Sequence, residues 1–457
     1  MADVEMTNFV VMQAPFLACV ISILLGAIGL AIAYYIIGRG TSEKNEKDKL
    51  SENAKLTTNS DDHKPASNET STSSSTAKRV KNKKRREAQQ EFTHSWMVGA
   101  LKGHAAPVLD MDYSSNGKFL ASCAEDRTVM IWCTKDLASK DRKSLRVNIE
   151  YDHASFIRWS PDSKAFIIHK AIANTVEVYK VARKPDGFPA SVTKALEFPK
   201  HHTEDVVGMD IACNGRYIMT CSNTTQLLVW DLKGQLLATI DTYLMSTHRA
   251  RISPCGRFIV ASGFAPDLKV WEVEFTKAGD FKQVSRAFEL GGHNSGIYDF
   301  GFSADTSHIA SVSKDKTFNF YDTNIEYKKG ETPRLLATGS WAGDSGARLA
   351  LSPNAEVIVI AHNSSLSFFS ALTGELDNTI PDVFSGPITG LLFDALGEHV
   401  LVSGDRHIKI FHNVTGYKTA IASAREKLKQ KISSATKERL EKTIGDSQKF
   451  LQEIAQR

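Results

Sequence analysis

Cysteine is scarce in this chain: six among 457 residues, at Cys19, Cys123, Cys133, Cys213, Cys221 and Cys255. None forms a C-x-x-C pair, so the spacing gives no support to a zinc or dithiol-redox centre. The six lie in apolar runs, which suits free buried thiols in a reducing compartment and leaves long-range disulfide pairing open. An excess of one charge is lacking too. Fifty-six Lys and Arg against 52 Asp and Glu leave +4, too little for nucleic-acid binding by the chain as a whole, so any basic signal must be local. There is no G-x-x-x-x-G-K-[ST] phosphate loop, no H-E-x-x-H, no G-x-S-x-G and no kinase signature. No enzyme, cofactor or metal site is expected.

Long hydrophobic runs are also missing, with one exception. Phe16–Ile37 holds twenty-two residues without a charge. As a helix it would measure roughly 33 Å, enough for a bilayer core. A cleaved signal peptide is the alternative, and Ala31-Ile32-Ala33 has the small-x-small form of a cleavage site. Against that, the preceding residues carry Asp3 and Glu5 and no Lys or Arg, and the run is longer than a signal core. The sequence is therefore read as residues 1–15 luminal, 16–37 a transmembrane anchor, and everything beyond in the cytosol. Arg39, Lys44, Lys47, Lys49 and Lys55 follow the run, and positive charge stays inside.

Residues 38–91 read as a disordered tether. Eleven of the twenty-one residues from Leu56 to Thr76 are Ser or Thr. A coil of about fifty residues has a root-mean-square reach of roughly 40 Å. The tether ends in Lys78, Arg79, Lys81, Lys83, Lys84, Arg85 and Arg86, seven positive charges in nine residues. Such a run is a solvated charge cluster, or it contacts RNA phosphates, anionic lipid or an acidic partner. No aromatic residue is interleaved, so base stacking is not indicated.

The rest of the chain repeats. Seven units run Val108–Trp132, Phe156–Tyr179, Val206–Trp230, Arg249–Trp271, Ile297–Tyr321, Ala347–Phe369 and Ile388–Phe411. Each alternates apolar residues with period two, breaks at a turn (Gly117, Ser163, Gly215, Gly256, Ser307, Ala355, Gly397) and closes on an aromatic 14 to 16 residues later. Successive closing aromatics are 41 to 51 residues apart. Three strands per unit, with room for a fourth, are the layout of propeller blades. The expected fold is all-β: a seven-bladed β-propeller over 92–416, with the strand Phe92–Leu101 placed to close the last blade.

Gly103-His104, Ser122, Asp126 and Trp132 in blade one resemble the hydrogen-bonded tetrad of WD-repeat proteins, as do Gly292-His293, Ser311, Asp315 and Tyr321 in blade five. The resemblance implies that these residues are structural, and that the His, Ser and Asp are no catalytic triad. His201-His202 is read as the same loop element in blade three, while Thr224 stands at its aspartate position, so that blades other than one and five are expected to rely on strand packing. Phrases such as SSNGKFLAS, ISPCGRF, PDLKVWEV and RLALSPNA resemble one branch of that family. That resemblance implies endoplasmic-reticulum residence, a role in the unfolded-protein response, and association with a stress-sensing kinase and translation components.

After the blades, residues 417–457 carry apolar positions at helical spacing, with Gly445-Asp446 as the expected break in an amphipathic helix. The whole reads as a non-catalytic, membrane-anchored WD-repeat scaffold, with Arg127 and Lys314 as candidate partner contacts on the blade turns. RNA or ribosome tethering through 78–86 is the rival reading.

Overall fold

A computed structural model describes residues 92–135, 143–430 and 433–456. The anchor 16–37, the tether and the basic run Lys78–Arg86 lie outside the described residues. Among the described residues, no helix is long and apolar enough to cross a membrane.

The period-two repeats form seven four-stranded antiparallel sheets. Their innermost strands are Val108–Tyr113, Ala154–Trp159, Val206–Ile211, Thr247–Ile252, Ile297–Phe302, Ala347–Leu351 and Ile388–Phe393. Each touches the next, and the seventh touches the first, so the sheets ring a central channel. The second strand of each blade is buried on both faces. Phe119–Ala124, for example, is buried at every position, which is why these strands read as unbroken apolar runs.

The turn from first to second strand is built alike in five blades. In blades one, two, four, five and six a Ser at its start accepts the amide five residues on, as in Phe119 N–H to Ser114 Oγ at 3.0 Å, Phe258 N–H to Ser253 Oγ at 3.0 Å and Val357 N–H to Ser352 Oγ at 2.9 Å. Asp394 accepts the His399 amide at 3.1 Å in blade seven, and blade three has Ala212 there. The next turn residue has positive φ at Gly117, Ser163, Gly215, Gly256, Ala355 and Gly397. In blade five it is Thr306 (φ 64°), one position before the Ser307 marked by the sequence. Ser307 instead donates its hydroxyl to Asp305.

The ring closes across the termini. Met97–Lys102 pairs antiparallel with His407–His412, Met97 opposite Phe411 and Lys102 opposite His407, so the N-terminal segment supplies the outer strand of the seventh blade. This removes the free edge that an open propeller would expose. Trp96 seals the joint, its ring 5.1 Å from that of Phe368.

Two helices follow, where the sequence suggested one with a break at Gly445. α1 (Val414–Leu428) starts on an Asn413 cap whose side chain accepts Gly416 N–H at 3.0 Å. α2 (Ser434–Ala455) starts on Ser433. The break falls after Leu428, and the Ser433 hydroxyl, which accepts Thr436 N–H at 3.3 Å, starts the second helix. Gly445 sits inside α2 with open space around it. Phe450 stacks on Tyr417 at 4.2 Å, and Ile454 is buried against the seventh blade. The cysteines also depart from expectation: Cys123 and Cys221 are buried free thiols, but Cys213 and Cys255 are exposed on turns.

Candidate interaction face and channel

The loop before each innermost strand and the turn between second and third strands lie at the same end of the channel. In blade one that end holds His104 and Asp126. Trp132 Nε1–H donates to Ser122 Oγ at 2.9 Å, and Ser122 Oγ lies 2.8 Å from His104 Nε2. His104 Nδ1 is 3.3 Å from Asp126, whose oxygens also accept the Thr128 hydroxyl at 2.6 Å and the Ala105 amide at 2.7 Å. Burial holds the His104 pKa below its usual value, so the ring is neutral at pH 7. A carboxylate only accepts, so the ring proton belongs on Nδ1 and Ser122 donates to Nε2. Donation thus runs one way, Trp132 to Ser122 to His104 to Asp126. Burial opposes ionisation of Asp126, yet its hydrogen bonds, Thr128 first, bring its pKa below the usual carboxylate value.

Blade five repeats this. His293 Nε2 is 2.8 Å from Ser311 Oγ and His293 Nδ1 is 3.3 Å from Asp315, which accepts Asn294 N–H at 2.8 Å. Tyr321 stands where blade one has Trp132, and its hydroxyl accepts from Asn319 Nδ2 at 3.0 Å. Ser122 and Ser311 are fully buried. With His104 and Trp132 both on its hydroxyl, Ser122 offers a substrate no approach, so the triad-like grouping is architecture.

Blade three corrects the expectation that only two blades keep the network. His202 Nε2 is 2.8 Å from Thr220 Oγ1, and Trp230 Nε1–H donates to that oxygen at 2.8 Å. Gln226 Oε1, 3.1 Å from His202 Nδ1, replaces the carboxylate. Threonine for serine and glutamine for aspartate keep the donor–acceptor order, which a search for Ser and Asp misses. In blade two the polarity is turned round: Asp152 sits in the loop and accepts Ile172 N–H at 3.1 Å and Ala173 N–H at 2.9 Å from the turn.

Charged side chains also converge on the channel. Asp110 and Asp112, Arg158, Asp210, Arg249 and Arg251, Asp299 and Arg348 all line it, from six blades. A bulge near the start of the innermost strand in six blades, absent in the sixth, puts Asp110, Arg249, Asp299 and Arg348 at one level. The aspartates also reach across blade boundaries. Asp110 accepts Ile157 N–H at 3.1 Å, Asp112 accepts Trp159 N–H at 2.7 Å, Asp210 accepts Ile252 N–H at 3.0 Å, and Asp299 accepts Leu349 N–H at 3.0 Å. Each satisfies an amide on the free edge of the next blade's innermost strand. Arg158 pairs with Asp110 and, at 3.8 Å, with Asp210; Arg251 pairs with Asp299 at 3.0 Å. The sequence signal was charge at alternate positions in first strands, as in Asp110/Asp112 and Arg249/Arg251, which also fits a solvent face. Among the described residues, no group of His, Cys, Asp and Glu could hold a metal ion.

At the histidine-bearing end, five large apolar side chains are exposed: Tyr151 (90%), Ile172, Tyr243 (70%), Met245 (76%) and Phe264. Tyr151, Tyr243 and Met245 have φ of 58°, 52° and 64°, a left-handed conformation uncommon for bulky residues. The other exposed large hydrophobics among the described residues are leucines on outer strands and on turns at the opposite end. Arg127 and Lys314 are both exposed on turns at the histidine-bearing end, with Arg127 at φ 60°. The run Lys78–Arg86 is outside the described residues.

The WD domain, G-beta repeat family matches residues 95–133, 193–231 and 284–322. Those segments contain the third strands of blades one, three and five, in which a loop histidine bonds a second-strand hydroxyl. Transducin beta-like protein 2 of Homo sapiens is 42% identical over 375 residues, covering 81% of this chain and 84% of the human protein. The Mus musculus protein of that name is 41% identical over 374 residues, covering 81% and 85%. Nuclear distribution protein PAC1 of Arthroderma benhamiae is more distant, 22% identical over 262 residues, covering 51% and 54%. With its seven blades, its repeated networks and this shared length, the chain belongs to the transducin beta-like protein 2 family of WD-repeat proteins.

Proposed function

We propose that this protein is a non-catalytic scaffold anchored in the endoplasmic-reticulum membrane by residues 16–37, its N-terminus luminal and its propeller cytosolic. It works in the response to unfolded protein, in association with a stress-sensing kinase and translation components. The family resemblance supports that setting, and the charge asymmetry around the apolar run supports the orientation.

The observation that carries the scaffold reading is the exposure of Tyr151, Ile172, Tyr243, Met245 and Phe264 at one end of the propeller. Large apolar groups presented together on one face mark protein contact. Bulky residues held at positive φ, at roughly 1–3 kcal/mol each, persist where the surrounding structure enforces them, and they cluster at binding sites. Arg127 and Lys314 on the same face supply a polar rim.

Photo-crosslinking of the full chain in intact microsomes, from a probe at position 243, tests this. The kinase or a translation component should be captured, and Y151S/M245S/F264S should lose it with an unchanged thermal midpoint. Equal capture by that variant would sink the docking face. Protease protection of the C-terminus in the same microsomes would sink the orientation.

The basic run favours a second reading, RNA or ribosome tethering. Replacing Lys78, Arg79, Lys81, Lys83, Lys84, Arg85 and Arg86 by Gln should then abolish ultraviolet crosslinking to RNA and spare the protein partners.

A further inference from the structure

Of the four channel arginines, two are committed: Arg158 to Asp110 and Asp210, and Arg251 to Asp299. Arg249 and Arg348 have no ion-pair partner among the described residues. They come from blades four and six at the same level, and both line the channel's inner section, about 390 Å³, and its mouth at the histidine-bearing end, about 690 Å³. Arg249 Nε is buried without a hydrogen-bond partner, and one guanidinium nitrogen reaches the Val207 carbonyl only at 3.5 Å.

A guanidinium withdrawn from water without an anion is costly, and its fork of N–H donors matches an oxyanion edge. The nearby aspartate cannot serve both. Asp299 already accepts Phe300 N–H, Leu349 N–H and the Arg251 guanidinium. The balance in the channel is positive as well, because burial pushes Asp112 up to about 7, so four arginines face fewer than four full negative charges. Two unpaired forks on one cavity suit a ligand with three anionic oxygens better than a carboxylate with two.

We infer that the channel mouth is a binding site for a phosphate-class oxyanion, free or carried as a phosphoryl group on a peptide side chain, held between Arg249 and Arg348. This goes beyond the scaffold reading, since anion binding is measured on the full chain with no partner present.

The test is equilibrium dialysis of the full-length protein against radiolabelled inorganic phosphate at fixed ionic strength. Saturable binding of one phosphate per chain is expected. R348Q and R249Q should each weaken it about ten-fold or more, the scale of one lost charge-assisted contact. R286Q, on the outer strand Phe281–Leu290, should leave it unchanged. Arg348 keeps part of its surface exposed, so R348Q carries the test if R249Q fails to fold. Competition separates the sources. Displacement by a phosphoserine peptide at lower concentration than by phosphate assigns the ligand to a phosphorylated chain; displacement by phosphate alone assigns a free anion. Absence of saturable binding, or binding unaltered in both arginine variants, overturns the inference.

Discussion

Asp112 in the first blade accepts the backbone N–H of Trp159 in the second at 2.7 Å, and its carboxyl is pushed up to about 7, chiefly by burial, with Arg158 acting against the shift. A carboxyl whose folded pKa lies above its unfolded value takes up a proton more readily in the fold. Stability from this group is therefore present below about pH 4 and lost as pH rises through 7. Asn keeps a carbonyl oxygen for the Trp159 amide and carries no charge. D112N should therefore unfold at a higher denaturant midpoint than the parent at pH 8, with the difference shrinking toward pH 5. A lower midpoint at pH 8 would show that the charge is needed.

The blade-three network gives a prediction of opposite sign. Removing the Thr220 hydroxyl strands both Trp230 Nε1–H and His202 Nε2 in the interior. At about 1–3 kcal/mol for each unsatisfied buried group, T220V should lose about 2–6 kcal/mol, close to the loss in S122A of blade one. Calorimetric unfolding of the two variants checks this, and an unaffected T220V would mean that blade three rests on strand packing alone.

Acid should weaken the same network. Burial pushes His202 down to about 4, against about 6.5 in an unfolded chain. Below pH 6.5 the unfolded chain binds a proton that the fold refuses. Stability is full above 6.5 and declines toward pH 4, by about 3 kcal/mol in all for this residue. His104 and His293 are lowered for the same first cause, burial, and act in the same direction. Denaturant midpoints measured from pH 7.5 to 4.5 should fall more shallowly in H202Q than in the parent; parallel curves would refute the assignment.

Closure of the ring should be costly to disturb. Trp96 is buried against Phe368, and the amide of His412 donates to the Trp96 carbonyl at 2.8 Å. W96A should lose about 3–5 kcal/mol. Hydrogen exchange should quicken first in Met97–Lys102 and His407–His412. Uniform quickening across all seven blades would mean that the joint does not open separately.

The sequence by itself determined the blades, and the reason is periodicity. Alternation of apolar residues, a turn such as Ser114–Gly117 and a closing aromatic such as Trp132 are local features repeated seven times, so the count and order of the sheets can be read along the chain. The networks of blades one and five were legible because His104 and Asp126 keep a fixed spacing. Blade three was not, since Thr220 and Gln226 preserve hydrogen-bond roles while changing residue type. The channel was decided only by the tertiary structure. Asp112 and Trp159, or Arg249 and Arg348, lie on different blades, and no local pattern says that the alternate charges of a first strand face a common axis instead of solvent. The same holds for the exposed apolar side chains at the histidine-bearing end. Tyr151 and Tyr243 are isolated loop residues until ring closure puts their loops at one end and the backbone's left-handed turns leave their side chains exposed.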